Sequence, residues 1–100
     1  MAAENNFPEA QYNLAVSYSF GAAGQENHEK AFQLYQQAAK NGYVGAQSNL
    51  GNYYLFGKSV SIDYSKAFYW FDLAARQMDI HAVFNLGQMY EHGLFIKKSH

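Results

Sequence analysis

The chain repeats itself at a fixed step. Ala10, Asn13, Leu14, Tyr18 and Gly21 return as Ala46, Asn49, Leu50, Tyr54 and Gly57, then as Ala82, Asn85, Leu86, Tyr90 and Gly93, each step being 36 residues (46 − 10 and 82 − 46). A second block behaves the same way: Lys30, Ala31, Phe32, Ala38 and Ala39 return as Lys66, Ala67, Phe68, Ala74 and Ala75. A period of this length marks supersecondary units that cannot bury their apolar faces alone and must stack to do so. It restricts the chain to an extended array, with each unit touching its neighbours. Such an array makes a surface, which points to binding rather than catalysis.

Each unit reads as two helices. Over Pro8–Phe20, the residues Ala10, Leu14 and Tyr18 fall on one stripe at i, i+4, i+8. Pro8 fits the first helical position, where a missing N–H costs nothing, and Gly21 fits the stop. Over His28–Lys40, the residues Ala31, Phe32, Tyr35, Ala38 and Ala39 keep helical spacing. Asn27 is the expected N-cap, with Asp63 in the same place one unit later, and Asn41 with Gly42 closes this helix. The same reading gives helices over 45–56, 64–77 and Ile80–His92. The expected fold is all-α, an α-solenoid of five helices in about two and a half antiparallel hairpins, wound as a right-handed superhelix. The expected units are 8–43, 44–79 and a partial 80–93 within one solenoid over 8–93, with 1–7 and 94–100 as terminal extensions. The recurring alanines let helices approach closely, and the tyrosine column Tyr18, Tyr54 and Tyr90 is expected to fill the gaps between units.

At this point the residues resemble a known family. Ala46, Asn49, Leu50, Gly51, Tyr54 and Gly57, repeated as Ala82, Asn85, Leu86, Gly87, Tyr90 and Gly93, resemble the Sel-one-like repeat (SLR), a relative of the tetratricopeptide repeat. Asp63, Lys66, Ala67, Trp70, Phe71, Ala74 and Ala75 are similar to the second half of that repeat. A tetratricopeptide unit has 34 residues; here the loop inside the hairpin is longer and the turn between hairpins is tighter. There are departures. Ala15 stands where Gly51 and Gly87 match, which implies a looser first contact. Gly24 replaces the apolar residue that Val60 supplies, which implies a less anchored first loop. Met78 stands where Gly42 matches, and because left-handed backbone costs a non-glycine residue about 1–2 kcal/mol, the turn at Met78 and Asp79 is expected to differ. Some SLR proteins carry a cysteine pair in each repeat, whereas this chain has none. The resemblance implies a scaffold or adaptor for other proteins, with no catalysis of its own; a regulatory module docking on an enzyme and a cell-envelope-associated factor are the alternatives it leaves.

Composition narrows the partners. Net charge is −1, and the lysines and arginine are scattered, so no basic stripe is offered to nucleic acid or an anionic membrane. No apolar run is long enough for a membrane-spanning helix. The segment 1–6 has neither the basic start nor the apolar stretch of a signal peptide, and the compartment stays open. The absence of cysteine removes disulfides and thiolate metal sites. His28, His81, His92 and His100 form no ligand pair, and no paired carboxylates suit acid–base work. No metal, cofactor or catalytic residue is expected.

Tetratricopeptide-like stacks line their inner, concave face with the first helix of each unit. That analogy assigns partner binding to Tyr12, Val16 and Phe20 in the first unit, Ser48, Asn52 and Phe56 in the second, and Phe84, Gln88 and His92 in the last. Aromatic and apolar groups mixed with amides and hydroxyls are typical of protein-recognition surfaces. Phe20 and Phe56 also recur at the period, so plugging the hairpin ends is the other reading for that pair. The column Asn13, Asn49 and Asn85 is expected to bond the backbone of a neighbouring helix or loop. After the last helix the array stops mid-unit. Leu94, Phe95 and Ile96 fold back as a cap, or the exposed helix pairs with another copy or another protein, or the chain is a piece of a longer array.

Overall fold

The computed structural model describes residues 7–21 and 26–94. They form five α-helices, with no strand among the described residues: α1 (Pro8–Phe20), α2 (His28–Lys40), α3 (Val44–Phe56), α4 (Tyr64–Arg76) and α5 (Ile80–His92). Helix α3 starts one residue before the sequence reading and α4 ends one residue before it. Each helix packs against the one before and the one after, so the chain zigzags into an array 48 Å long and 25 by 20 Å across.

Local chemistry sets the helix ends. The Asn27 and Asp63 side chains accept the Lys30 and Lys66 backbone N–H groups, both at 3.1 Å, which satisfies donors the first turn cannot pair internally. Pro8 opens α1. Gly21, Gly57 and Gly93 end α1, α3 and α5 in left-handed conformation. The long hairpin loops close identically: Asn27 N–H donates to the Tyr18 carbonyl at 2.8 Å, and Asp63 N–H to the Tyr54 carbonyl at 3.0 Å. Val60 packs on the core beneath the second loop; Gly24, its counterpart in the first, lies outside the described residues.

The turn after α4 corrects an expectation. Met78 adopts φ 70°, and its N–H donates to Ala75 while the Asp79 N–H donates to Ala74. Gly42 and Tyr43 make the equivalent bonds to Ala39 and Ala38. The turn is therefore the same with a strained residue in it, and it keeps the two hydrogen bonds by which the helix-end carbonyls of Ala74 and Ala75 are tied to the outgoing chain.

Packing follows the small residues. Ala15, Ala31, Ala38, Ala46, Ala67, Ala74 and Ala82 are wholly buried, and Tyr35, Leu50, Phe71 and Met89 fill the space between helices. Gly51 marks the closest approach: a Cβ there would sit 2.6 Å from the Phe71 ring. One unit earlier Ala15 and Tyr35 hold the corresponding positions, and both are buried.

The columns are not uniform. Leu50 and Tyr54 lie in the middle of the stack and are buried, whereas Leu14 is exposed, Tyr18 is half-buried and Tyr90 is 58% exposed. Position in the array decides this, since among the described residues only α3 has second-type helices on both sides. Ring contacts still repeat: Phe32 meets Tyr54 edge-on at 5.6 Å between centroids, and Phe68 meets Tyr90 at 5.8 Å. Lys30 and Lys66 lie over the Tyr18 and Tyr54 rings at 5.7 and 5.5 Å, within range of a cation–π attraction.

Two buried glutamines, Gln11 and Gln47, were not singled out in the sequence although they sit one period apart. The Gln47 amide donates to the Ala39 carbonyl of the preceding hairpin at 3.2 Å and accepts from Gln77 Nε2 at 2.7 Å. Gln11 makes the corresponding weaker contact with Asn41 at 3.5 Å and donates to Gln37 at 3.1 Å. Val83 occupies the third place and is exposed.

Candidate functional site

The first-type helices α1, α3 and α5 come together around two adjoining hollows. The larger, about 530 Å³, is lined by Tyr12 from α1, by Gly45, Ser48, Asn49 and Asn52 from α3, and by His81, Phe84 and Asn85 from α5, with Asp79 at its edge. The smaller, about 460 Å³, lies between Leu55, Phe56 and Tyr64 on one side and Phe84, Gln88, Met89, His92 and Leu94 on the other, with Asn85 at its margin. Phe84 and Asn85 line both. The first hollow is polar and the second is mainly apolar.

Seven of the inner-face residues expected from sequence fall on these walls: Tyr12, Ser48, Asn52 and Phe84 on the first, and Phe56, Gln88 and His92, again with Phe84, on the second. Val16 packs on the core and Phe20 stands exposed at the end of α1; neither lines either hollow. Phe56 is 63% exposed, so it stands out from its hairpin instead of plugging it, and Phe84 is equally exposed. Ser48 corrects the expectation of an open surface residue, being only 5% exposed at the floor of the polar hollow. Helix α3 is flanked by α2 and α4, and that central place takes Ser48 down with it. Its hydroxyl has no hydrogen-bond partner among the described residues.

The asparagine column also behaves differently from the expectation. The Asn49 amide donates to the Gly45 carbonyl of its own helix at 2.9 Å. The Asn85 amide donates to the Asn52 side-chain carbonyl at 3.3 Å, a bond from α5 to α3. Asn13 is exposed. Among the described residues, then, one member of the column bonds its own helix, one bonds a side chain of the adjacent first-type helix, and neither bonds the backbone of a neighbouring element.

The Asp79 carboxylate accepts the Ala82 N–H at 2.9 Å and so caps α5. Helices α1, α3 and α5 carry no lysine or arginine; those described are Lys30, Lys40, Lys58, Lys66 and Arg76, on α2, α4 and the loop between α3 and α4. Beneath the walls, Tyr12 lies against Tyr35 and Tyr43 with centroids 5.9 and 4.9 Å away. Burial pushes the Tyr35 phenol up to about 12, with a bond to Ser19 partly opposing it. Burial also raises Tyr53, whose hydroxyl shares a hydrogen bond with His28 Nδ1 at 2.8 Å. Both phenols therefore stay protonated near neutral pH.

Among the described residues no group of three or more histidine and carboxylate side chains is gathered that could hold a metal ion. None of their helices is long and apolar enough to cross a membrane. Phe95 and Ile96 of the expected cap lie outside the described residues; Leu94 packs on the core, its N–H donating to the Met89 carbonyl at 2.7 Å.

A stack of antiparallel hairpins with a closed core and an open, aromatic inner face is the architecture of a helical-repeat binding protein. The Sel1 repeat family model matches residues 8–43, 44–78 and 80–100. The chain belongs to the Sel1 repeat family, whose members generally act as protein-interaction modules and are generally non-catalytic. Solved structures agree. A Sel1 repeat protein from Oxalobacter formigenes is 30% identical with a TM-score of 0.83, over 99% of this chain and 74% of that one. A protective antigen present in uropathogenic Escherichia coli strains, displaying an SLR fold, is 34% identical with a TM-score of 0.88, over 92% of this chain but only 20% of that one. No curated protein is similar enough to count as a relative.

Proposed function

We propose that the chain is a non-catalytic scaffold or adaptor that holds a protein partner on the face formed by α1, α3 and α5. The observation that carries this reading is Phe84. It is a large aromatic side chain, 63% exposed, on the ridge shared by both hollows. Exposed aromatics at the centre of a concave, largely preformed surface are the usual anchors of protein recognition. Family membership supports the same direction, and the lack of lysine and arginine on the inner helices argues against nucleic acid there.

Capture of proteins from the source organism by the wild-type chain, Phe84→Ala and Tyr12→Ala tests this, with mass spectrometry as the readout. Proteins retained by the wild type are expected to be lost with both variants. Phe84→Ala is expected to melt within about 0.5 kcal/mol of the wild type, since an exposed truncation leaves no cavity. Identical capture by all three proteins would remove the inner face from the function.

A further inference from the structure

We infer that Asn41 and Gly42 form a self-modifying site. The native turn between α2 and α3 holds it closed, and opening of that turn lets the Asn41 side chain cyclise and convert to aspartate and isoaspartate. The product loosens the joint between the two hairpins. This goes beyond the proposed function and stands apart from the inner face. Three observations lead to it.

The first is a contrast between the two inter-hairpin turns. In the second, Gln77 Nε2 donates to Gln47 Oε1 at 2.7 Å and to the Leu73 carbonyl at 3.0 Å. In the first, Asn41 takes the place of Gln77 and Gln11 that of Gln47, one period earlier. Asparagine is shorter by a methylene, and its Nδ2 comes only to 3.5 Å from Gln11 Oε1, the outer limit of a hydrogen bond. The Asn41 amide is therefore exposed and weakly held, whereas that of Gln77 is tied twice.

The second is the following residue. Cyclisation brings the next backbone nitrogen onto the side-chain carbonyl carbon, and a side chain on that next residue obstructs the approach. The other described asparagines precede Leu14, His28, Leu50, Tyr53 and Leu86, whereas Asn41 precedes glycine. In the second turn the pair is Gln77 and Met78. There the ring would be six-membered, which closes less readily, and the Met78 side chain flanks the nitrogen. Asparagine is among the thermolabile residues, and the first turn places one where little shields it.

The third is the closure. The Gly42 N–H donates to the Ala39 carbonyl at 3.0 Å, and the Tyr43 N–H to the Ala38 carbonyl at 3.0 Å. A five-membered ring needs Asn41 Cβ and the Gly42 nitrogen on the same side of the Asn41 Cα–C bond. At ψ 10° they are not. The nitrogen must leave Ala39 and rotate before it attacks, so the reaction waits on local opening of the turn.

In the opened turn hydroxide removes the Gly42 N–H proton. The nitrogen bonds to Asn41 Cγ, the Cγ–Nδ2 bond breaks, and Nδ2 leaves as ammonia. Water then opens the succinimide. Attack at Cγ gives aspartate, and attack at the Asn41 main-chain carbonyl gives isoaspartate, whose chain runs through Cβ. One water is consumed and one ammonia released, with no other reactant. Aspartate puts a negative charge at the C-terminal end of α2, against the helix dipole, and replaces the donor facing Gln11 Oε1 with an acceptor. Isoaspartate adds a methylene to the main chain, so the bonds from Gly42 and Tyr43 to Ala39 and Ala38 no longer close together.

The test incubates the full chain at mildly alkaline pH, folded and in urea, with peptide mapping by mass spectrometry over time. Isoaspartate is identified with an isoaspartyl carboxyl methyltransferase. In the folded chain Asn41 is expected to convert before the other described asparagines, on the order of tenfold or more slowly than in urea, and faster as pH rises. Asn41→Gln restores the length of Gln77; it should abolish conversion at this position and melt no lower than the wild type. Asn41→Asp fixes one product and should melt below the wild type, as should converted chain separated by ion exchange. A folded chain that never converts at Asn41, earlier conversion of another described asparagine, or conversion that folding does not slow would overturn the inference. So would converted chain and Asn41→Asp that both melt like the wild type.

Discussion

Glycine and its replacements show how differently one repeat position can behave in successive units. At Gly51 an added methyl meets the fully buried Phe71 ring at 2.6 Å, whereas at Gly87 no described atom lies within 4 Å. Overpacking a core costs about 1–3 kcal/mol, more than the roughly 0.5–1 kcal/mol that alanine contributes inside a helix. Gly51→Ala is therefore expected to destabilise, and Gly87→Ala to be neutral or stabilising; a denaturant melt in which both move the same way would contradict this. Met78 gives the opposite case, a left-handed residue with its side chain almost wholly in solvent. Met78→Gly removes about 1–2 kcal/mol of strain against a smaller entropic loss in the unfolded chain, so a modest rise in melting temperature is expected, and a fall would refute the strain. The sequence marked Met78 as unusual but read it as a different turn. It could not show that Met78 would take the left-handed conformation and keep the bonds to Ala74 and Ala75. Gln11 and Gln47 recur at the period and were legible in principle, but nothing in their own stretch of sequence says that they lie buried.

The same contrast holds for the elements. All five helices were visible in the spacing of apolar residues, and their ends came within a residue because caps are local: Asn27, Asp63, Gly21 and Gly57 act on their own turns. What the sequence could not rank was how deep each helix lies. Helix α3 has helices on both flanks and buries Ser48, while α1 and α5 have one flank each among the described residues. The hollows inherit this difference, with Tyr12, Asn52 and Phe84 on the walls and Ser48 at the floor. The tie between hairpins is also a matter of elements. Gln47→Ala removes the bond across to Ala39 and the Gln77 amide's acceptor in the interior, and is expected to cost about 1–3 kcal/mol. Gln77→Ala removes an exposed residue that also bonds its own helix at Leu73, and is expected to cost less than half as much. Equal losses in parallel melts would show that Gln47 is not the tie described here.

For the whole molecule, stability in a stack is a sum of unit and interface terms, and the middle holds the largest share. Hydrogen exchange should be slowest in α3, where residues from Ala46 to Tyr54 are largely buried, and faster in α1 and α5. Uniform protection across all five helices would mean that the array opens as a single unit rather than from its ends. The amide bridge from Gln47 to Ala39 and Gln77 has a consequence for assembly. Faces lined with alanine are smooth, and sliding one hairpin along another by a helical turn brings back nearly the same relief. Dispersion forces alone would then discriminate poorly between the correct seating and its shifted neighbours. A buried amide whose acceptor sits on the preceding hairpin and whose donor sits on its own is satisfied at a single offset, and every other offset strands its N–H in a dry interior. Gln47 thus works as a detent, a small polar tooth that lets otherwise interchangeable surfaces count their own register.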